Sequence, residues 1–533
     1  MNTPDKPNGL RRRQWLQTLC VAGSWWLGGP AAARVTGQRA EPMGANGFSP
    51  WLRFAPDGQV TVFSHVADLG QGSWASLRAL VALQLGLEPA GIAVEPAPLQ
   101  SPFFNPYTRN YASFGSLGAR VGAAQLLPAA AAARALLQQA AALRWGVDPA
   151  SCSLAGGAVQ HPAHGELRFA ELLEDASRLS PPPKPAPLRA ALPPPPPHQA
   201  QERLNGQFRY GIDPRQPGQW QAVSLVPPAF GARVAGIRNA AAVRRMAGVE
   251  KLLDLGSSVV VVARGSWAAL QAAQALQIDW AGGAAPAGSV FTAALREAAQ
   301  AGAGQRLHLP GQTPDAAAPT AQAMAEAACT LDLLFEFPFL AQTPMEPLNA
   351  TARVGREGVE VWLGTQAPLD TQRAIAKLTG LPAERIQLHL LPAGGGFGRR
   401  LEHDWVLEAV RVAQALPGRA VQLLWPRERE LRAGYYRPAG AVRARLALNA
   451  QQAIRGLRVD LAGPSIAEHS GLTNADGLPP GIDWSASMGW WNQPYALPAP
   501  DLRWTRVDAG IPVGYWRSVA YSQNSFVLEH LLD

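Results

Sequence analysis

The residues with the most chemical potential in this chain are glycines. Gly394-Gly395-Gly396-Phe397-Gly398 puts four glycines into five positions. Backbone N–H groups in such a loop can approach a bound anion without interference from Cβ atoms, and the start of a following helix would add favourable partial charge. Two common uses of glycine loops fail on spacing. A dinucleotide-binding G-x-G-x-x-G needs glycine at 399, where Arg399 stands, and no Gly-Lys-Ser/Thr completes a P-loop. A tight strand-to-helix turn accounts for the loop equally well. Gly70-Gln71-Gly72 forms a second glycine turn at an expected strand-to-helix junction, a weak signal by itself.

Other chemistry is poorly represented. His161-Pro162-Ala163-His164 has no H-E-x-x-H context and no cysteine alongside, so it reads as a surface turn rather than a metal site. Glu402-His403-Asp404 reads as a solvated helix start, and neither a Ser-His-Asp arrangement nor a G-x-S-x-G elbow is evident. The three cysteines, Cys20, Cys152 and Cys329, exclude a disulfide scaffold. They also exclude an iron–sulfur cluster held by this chain alone, because such clusters take four thiolates.

The elements that must position these loops follow from periodicity. QVTVFSHV (59–66) alternates as a strand, and Trp74, Leu77, Val81 and Leu85 recur at helical spacing after the Gly70–Gly72 turn. A long alanine-rich helix is expected from about Gly122 to Arg144. Residues 181–202 are a proline-rich linker, expected to act as a polyproline spacer. Strands near 219–226 and 257–263 and a helix from about Ser266 to Leu276 make a unit over 203–285, and the Gly/Ala/Pro-rich stretch 286–320 reads as a loop excursion. In 321–533, strands at 359–364 and 385–392 alternate with helices at 369–380 and 401–416. The 533 residues, 47% hydrophobic and 16% charged, fit a globular multidomain α+β protein. The net charge of +8 comes from scattered arginines without a nucleic-acid-binding motif, so no nucleic-acid partner is expected.

At the N-terminus, Arg11-Arg12-Arg13-Gln14-Trp15-Leu16 precedes a weakly apolar run ending in Ala31-Ala32-Ala33. This is the layout of a signal peptide over 1–33 with a twin-arginine pattern. It implies periplasmic export of a protein already folded around a cofactor. No other stretch is expected to span a membrane.

The ordered set GQG (70–72), RWGVDP (144–149), LNGQFRYGIDPRQPG (204–218), TPMEPLNATA (343–352), WLGTQAP (362–368), GGGFGRR (394–400), YYRP (435–438) and VGYWRSVAYSQNSFVLEHLLD (513–533) resembles one family. It is similar to the molybdopterin-binding large subunits of the xanthine dehydrogenase and aldehyde oxidase superfamily, in the branch of isoquinoline 1-oxidoreductase beta subunits. The resemblance implies an α/β hammerhead-like domain at 203–285 and molybdopterin-binding domains at 34–180 and 321–533. It assigns the phosphate end of the pterin to Gly70, Gln71 and Gly72. Gln366 would bond an oxygen on molybdenum, Gly395, Gly396, Phe397 and Gly398 would lie beside the metal, and Arg517 would orient substrate or cofactor. The metal would be held by the pterin's dithiolene rather than by side chains. The cofactor would be molybdopterin in its cytosine dinucleotide form.

The implied reaction hydroxylates an N-heteroaromatic compound or aldehyde, with water as oxygen donor and a glutamate as general base. Electrons would leave through a small [2Fe–2S] subunit, with a cytochrome c beyond it. The family's G-x-G-E segment is absent from this sequence, so the catalytic residue is unknown, and Glu346, Glu402 and Glu529 have no motif to promote them. The family's cofactor segment at 105–120 is replaced by YASFGSLGAR, where Ser113, Gly115 and Ser116 are the available contacts. Three accounts stay open: a large subunit completed by a separate chain carrying the C-terminal part, a truncated non-catalytic remnant, and a periplasmic anion-binding module.

Overall fold

The β-branched run Val60–Ser64 is the central strand of a three-stranded sheet. It pairs antiparallel with Leu52–Phe54 and parallel with Ile92–Pro96. All five of its residues are buried. The computed structural model describes residues 50–533 except 101–102, 106–109, 182–186, 189–198, 284–287, 308–316, 471–482, 491–492, 499 and 509. The signal segment and most of the proline-rich stretch therefore lie outside the described residues.

The chain forms two compact units, the first reaching Pro214 and including Gly355–Gly395, the second made of Arg215–Val354 and Gly396–Asp533. These limits differ from the breaks expected at 180, 202, 285 and 320. A distant βαβ segment joins the first unit through the Ser113–Gln366 and Asn110–Asp370 hydrogen bonds and the packing of Leu369 in its core, which linear composition does not report.

In the first unit the parallel pair Val60–Ser64 and Ile92–Pro96 is connected through the helix Ser73–Leu85. Trp74, Leu77, Val81 and Leu85 of that helix are buried, as their spacing requires. The helix Leu117–Trp145 packs on it, burying Leu126, Ala130, Leu136 and Leu137 in the same core. At 29 residues this helix is long and apolar enough to cross a membrane, which corrects the expectation that no such stretch exists. Its buried face marks it as a core helix. A second βαβ element runs from strand Val359–Leu363 through helix Pro368–Thr379 to the parallel strand Ile386–Leu390. The proline-rich stretch is not a free spacer throughout. Leu188 exchanges two 2.9 Å hydrogen bonds with the side-chain amide of Gln84, which ties it to the helix Ser73–Leu85.

In the second unit, Trp220–Leu225 pairs antiparallel with Val259–Ala263 and parallel with Val421–Leu424. The latter pairs with Asn349–Val354. A five-stranded sheet contains Cys329–Phe337, Gly440–Leu448, Ile454–Gly463 and Asp501–Arg506, and the helix Tyr521–Leu532 adds Val527, Leu528 and Leu531 to its core. Residues 286–320 are not a loop excursion. They contain the helix Gly288–Ala301, whose Phe291, Leu295 and Ala299 pack against Ala439, Ala441 and Ala462. An i, i+4, i+8 stripe was present, but the surrounding Gly/Ala/Pro content masked it. The helix expected from 401 begins at Asp404, after a 3₁₀ turn over Arg399–Leu401.

Candidate cofactor-binding site

Two strand-to-helix connections of the first unit carry candidate residues. Gly70–Gly72 lies between strand Val60–Ser64 and helix Ser73–Leu85, and Gln366 lies between strand Val359–Leu363 and helix Pro368–Thr379. The carboxyl ends of parallel strands, where helices begin, are the usual place for ligands in α/β units.

The first turn is exposed and open. Gly70 and Gly72 have φ of +83° and +79°, and a Cβ built on either meets no atom within 4 Å. Within the turn the Gly70 amide donates to Asp68 Oδ1 (3.0 Å), the Leu69 amide to Gln71 Oε1 (2.7 Å), and Gln71 Nε2 to the Ala67 carbonyl (2.8 Å). The amides at the start of the 13-residue helix point into this opening with the positive end of its dipole. This donor set fits the phosphate of an anionic pterin cofactor.

Asp68 and Arg203, which sequence reasoning did not single out, brace the turn together with Ser113. Asp68 is 5% exposed and is paired through Oδ2 with Arg203, whose guanidinium lies 3.8 Å from the Phe208 ring centroid. The LNGQFRYG segment thus has a structural purpose: it supplies the aromatic support beside the Asp68 counter-ion. Ser113 Oγ accepts from the Ala67 amide (2.7 Å), and the Ser113 amide and carbonyl both bond Gln366, at 2.7 Å to its carbonyl and 2.8 Å to its Nε2. Gln366 is buried. Its side chain is therefore a clamp that joins the YASFG segment to its own turn, and the structure brings Gly70–Gly72, Ser113 and Gln366 into one connected group. Ala393 donates to the Asp68 carbonyl at 2.9 Å, so Gly394 and Gly395 depart from beside the same turn.

His65 stands just before this turn. It is 1% exposed, neither ring nitrogen has a hydrogen-bond partner, and Trp51 meets it edge-on with 5.6 Å between ring centroids. Burial lowers its pKa to about 4.

The second unit holds the rest of the candidates. Gly396 and Gly398 are buried, whereas Phe397 is 38% exposed with a left-handed φ of +53°. Gly398 has φ +98°, and a Cβ there would stand 2.1 Å from the Tyr515 carbonyl oxygen. Glycine is required at 398 for close packing of the two segments, and not for an open anion cradle as the sequence suggested. The expected helix dipole is also displaced, because the 3₁₀ turn intervenes. Arg517 closes this contact: its amide donates to the Phe397 carbonyl (2.8 Å), and its guanidinium carbon lies 4.1 Å from the Phe397 ring centroid.

The arginines that follow the loop are its foundation. Arg399, 1% exposed, makes a bidentate bond to Asp404 at 2.9 and 2.7 Å, with Trp405, Trp425 and Tyr435 rings 5.4–5.5 Å away. Asp404 is thus not merely a solvated helix start. Burial, and then the charges of Asp404 and Glu402, push the Tyr435 phenol above its ordinary range. Arg400 is fully buried and pairs with Glu346 at 2.9 Å. Glu346 also accepts from Asn349 Nδ2 at 2.9 Å, so it serves as a counter-ion. Glu529 accepts from the Tyr495 hydroxyl at 2.8 Å. Among the described residues no cluster of His, Cys, Asp and Glu could hold a metal ion. His161 and His164 form a turn beside Trp145, where the Ala163 amide donates to His161 Nδ1.

Residues 23–215 and 310–533 each match the molybdopterin cofactor-binding domain. The chain belongs to the molybdopterin-binding large subunits of the xanthine dehydrogenase family, with an α+β multidomain fold. Within that family it is 27% identical to the beta subunit of isoquinoline 1-oxidoreductase from Brevundimonas diminuta, over 95% of this chain and 70% of the relative. It is 26% identical to the B subunit of nicotinate dehydrogenase from Pseudomonas putida, over 71% of this chain and 32% of that protein. Quinoline 2-oxidoreductase from Pseudomonas putida 86 superposes with a TM-score of 0.49 at 20% identity, covering 63% of this chain. This chain spans about half, 47%, of that solved chain.

Proposed function

We propose that this chain is the molybdopterin-binding large subunit of an exported molybdenum hydroxylase that oxidises an N-heteroaromatic compound or an aldehyde. The observation that carries the reading is the open Gly70–Gly72 turn at a helix start, inside a segment matching the cofactor-binding domain. When bound, the molybdenum cofactor supplies two-electron oxidation with water as the source of oxygen. The chain's residues bind and orient. Gly70, Gln71 and Gly72 would hold the phosphate of the pterin, in its cytosine dinucleotide form, through the amides of Gln71 and Gly72, since that of Gly70 is taken by Asp68. Gln366 would bond an oxygen on molybdenum, and Gly395, Gly396, Phe397, Gly398 and Arg517 are assigned to the metal's surroundings by the family resemblance alone.

This chain has no motif-supported general base and no set of thiolates for a cluster. A small [2Fe–2S] subunit receives the electrons in this reading, with a cytochrome c as a further acceptor. Residues 1–33 direct the folded protein to the periplasm. The relatives support the two substrate classes, because they include an isoquinoline oxidoreductase, a nicotinate dehydrogenase and an aldehyde dehydrogenase.

The test is metal and pterin analysis of the exported protein purified with its partner chains. Molybdenum and pterin in equal amounts, near one per chain, are expected. Their absence overturns the reading and favours a non-catalytic, anion-binding module.

A further inference from the structure

Five arginines are buried among the described residues: Arg78, Arg399, Arg400, Arg429 and Arg437. Three of them pair with a carboxylate, Arg399 with Asp404, Arg400 with Glu346 and Arg429 with Glu408. Arg437 donates to the Pro338 carbonyl (2.9 Å) and lies 5.3 Å from the Trp516 ring centroid. Arg78, in the helix Ser73–Leu85, differs from all four. It is 7% exposed, and among the described residues no hydrogen bond, ion pair or ring contact reaches its guanidinium, whose Nε is shut off from solvent. Burial lowers its pKa, and only the charge of Glu202, outside ion-pair range, opposes that shift. A cation buried in this state is costly. The position calls for an anion that the fold itself does not supply.

Arg78 stands in the second turn of its helix, and long helical side chains lean back over the turn before them. For Arg78 that is the first turn, which begins at Ser73 directly after the open Gly70–Gly72 segment. Glu202 locates the guanidinium further. Its neighbour Arg203 pairs with Asp68, and Asp68 accepts the Gly70 amide at 3.0 Å. Arg78 thus lies on the flank of the glycine turn that the short helix Ala200–Leu204 borders. An anion entering this turn meets the amides of Gln71 and Gly72 and the positive end of a helix whose first turn holds no acidic residue. Asp68 and Arg203 neutralise one another, which leaves Arg78 as a cation beside the turn without a bonded counter-charge.

We propose that Arg78 is a phosphate ligand of the molybdenum cofactor, acting with the Gly70–Gly72 turn on the cofactor's diphosphate. Its N–H fork suits phosphate oxygens, and its buried charge is compensated only when the cofactor is bound. The inference rests on the molybdenum hydroxylase reading and deepens it, because it adds a charged side chain to a phosphate site otherwise made of backbone amides. Free inorganic phosphate offers the same chemistry. The proposal commits to the cofactor, and its test separates the two.

The full-length chain is purified with its partner chains from a host that makes the cofactor and from one unable to make molybdopterin. In the first preparation, pterin and molybdenum are followed during dialysis. Arg78→Met is expected to release pterin about tenfold faster than the wild type, the scale of one charge-assisted bond, with Arg78→Lys in between. In the cofactor-free preparation the order reverses. Arg78→Met melts at the wild-type temperature or above it, because an apolar chain replaces an unpaired buried cation. Cytidine diphosphate raises the melting temperature of the cofactor-free wild type, and raises that of Arg78→Met less. Equal pterin release by wild type and Arg78→Met overturns the proposal. So does a lower melting temperature of cofactor-free Arg78→Met, which would make Arg78 a structural partner of Glu202. Inorganic phosphate as effective as cytidine diphosphate at equal concentration would assign Arg78 to the free anion and overturns it as well. A wild type purified without molybdenum and pterin counts against the hydroxylase reading instead, and the cytidine diphosphate titration then still decides for or against Arg78 as a diphosphate ligand.

Discussion

Gln366 and His65 show how differently two buried polar side chains can be treated. Gln366 spends one amide hydrogen and its backbone carbonyl on Ser113, which makes it the joint between two loops of the first unit. Replacing it with alanine leaves the Ser113 carbonyl unsatisfied, at a cost of about 1–2 kcal/mol. Gln366→Ala is expected to retain its fold by circular dichroism and to lose molybdenum per chain in metal analysis. Retention of full cofactor and activity in the assembled enzyme would remove Gln366 from the site. His65 has no such partner. Its pKa of about 4 lies below the ordinary 6.5, so the unfolded chain binds the extra proton first. The stability associated with neutral His65 is complete above about pH 6.5 and is lost as pH falls toward 4, by about 3 kcal/mol over the full shift. Thermal melts should therefore show a steeper loss between pH 7 and 5 in the wild type than in His65→Phe, which keeps the ring packed against Trp51 and has nothing to titrate. Identical pH slopes would show that His65 does not drive the loss.

At the scale of elements, the two glycine turns use the same residue for opposite ends. Gly70 and Gly72 face open space, and their positive φ values shape an open turn. Gly398 faces the Tyr515 carbonyl, with no room for a methyl group. Gly398→Ala combines a left-handed penalty with a backbone clash, and a loss of about 3 kcal/mol or more is expected from denaturant titration of the full-length chain. Because the loop holds Phe397 against Arg517, the same variant should lose the cation–π contact between them. A change below about 0.5 kcal/mol would mean that the two segments are not packed as described. The buried arginines after this loop explain why it can be held so closely. Glu408 is an example of the same economy nearby: it accepts from Ser224, Ser258 and Trp425 and pairs with Arg429, so that neither oxygen of this buried carboxylate is left unmatched.

On the scale of the whole molecule, the proposed export signal precedes the described residues, and its prediction stands on the arginine pair alone. Arg12→Lys with Arg13→Lys is expected to stop export, so that cell fractionation and immunoblotting find the precursor retained in the cytoplasm. Normal export of this double variant would end the twin-arginine reading. Much else was legible along the chain. The helix Ser73–Leu85 announced itself because Trp74, Leu77, Val81 and Leu85 fall on one face, and helix Pro368–Thr379 stops at Gly380, where φ is +73°. Such signals are local: a stripe, a cap and a turn each depend on a few adjacent residues. The helix Gly288–Ala301 was hidden because its short stripe of Phe291, Leu295 and Ala299 acquires meaning only against Ala439, Ala441 and Ala462, far along the chain. The candidate site divides in the same way. Its glycines and Gln366 were visible as motifs, whereas the clamp of Ser113 on Gln366, the pairing of Asp68 with Arg203 and the stacking of Arg517 on Phe397 join residues more than 100 positions apart. Residue type and spacing alone determined which loops could approach an anion, since that property belongs to backbone without side chains. Which loops stand open and which are filled by a neighbouring carbonyl was decided by tertiary packing, because occupancy of space is a property of contacts that no single segment contains.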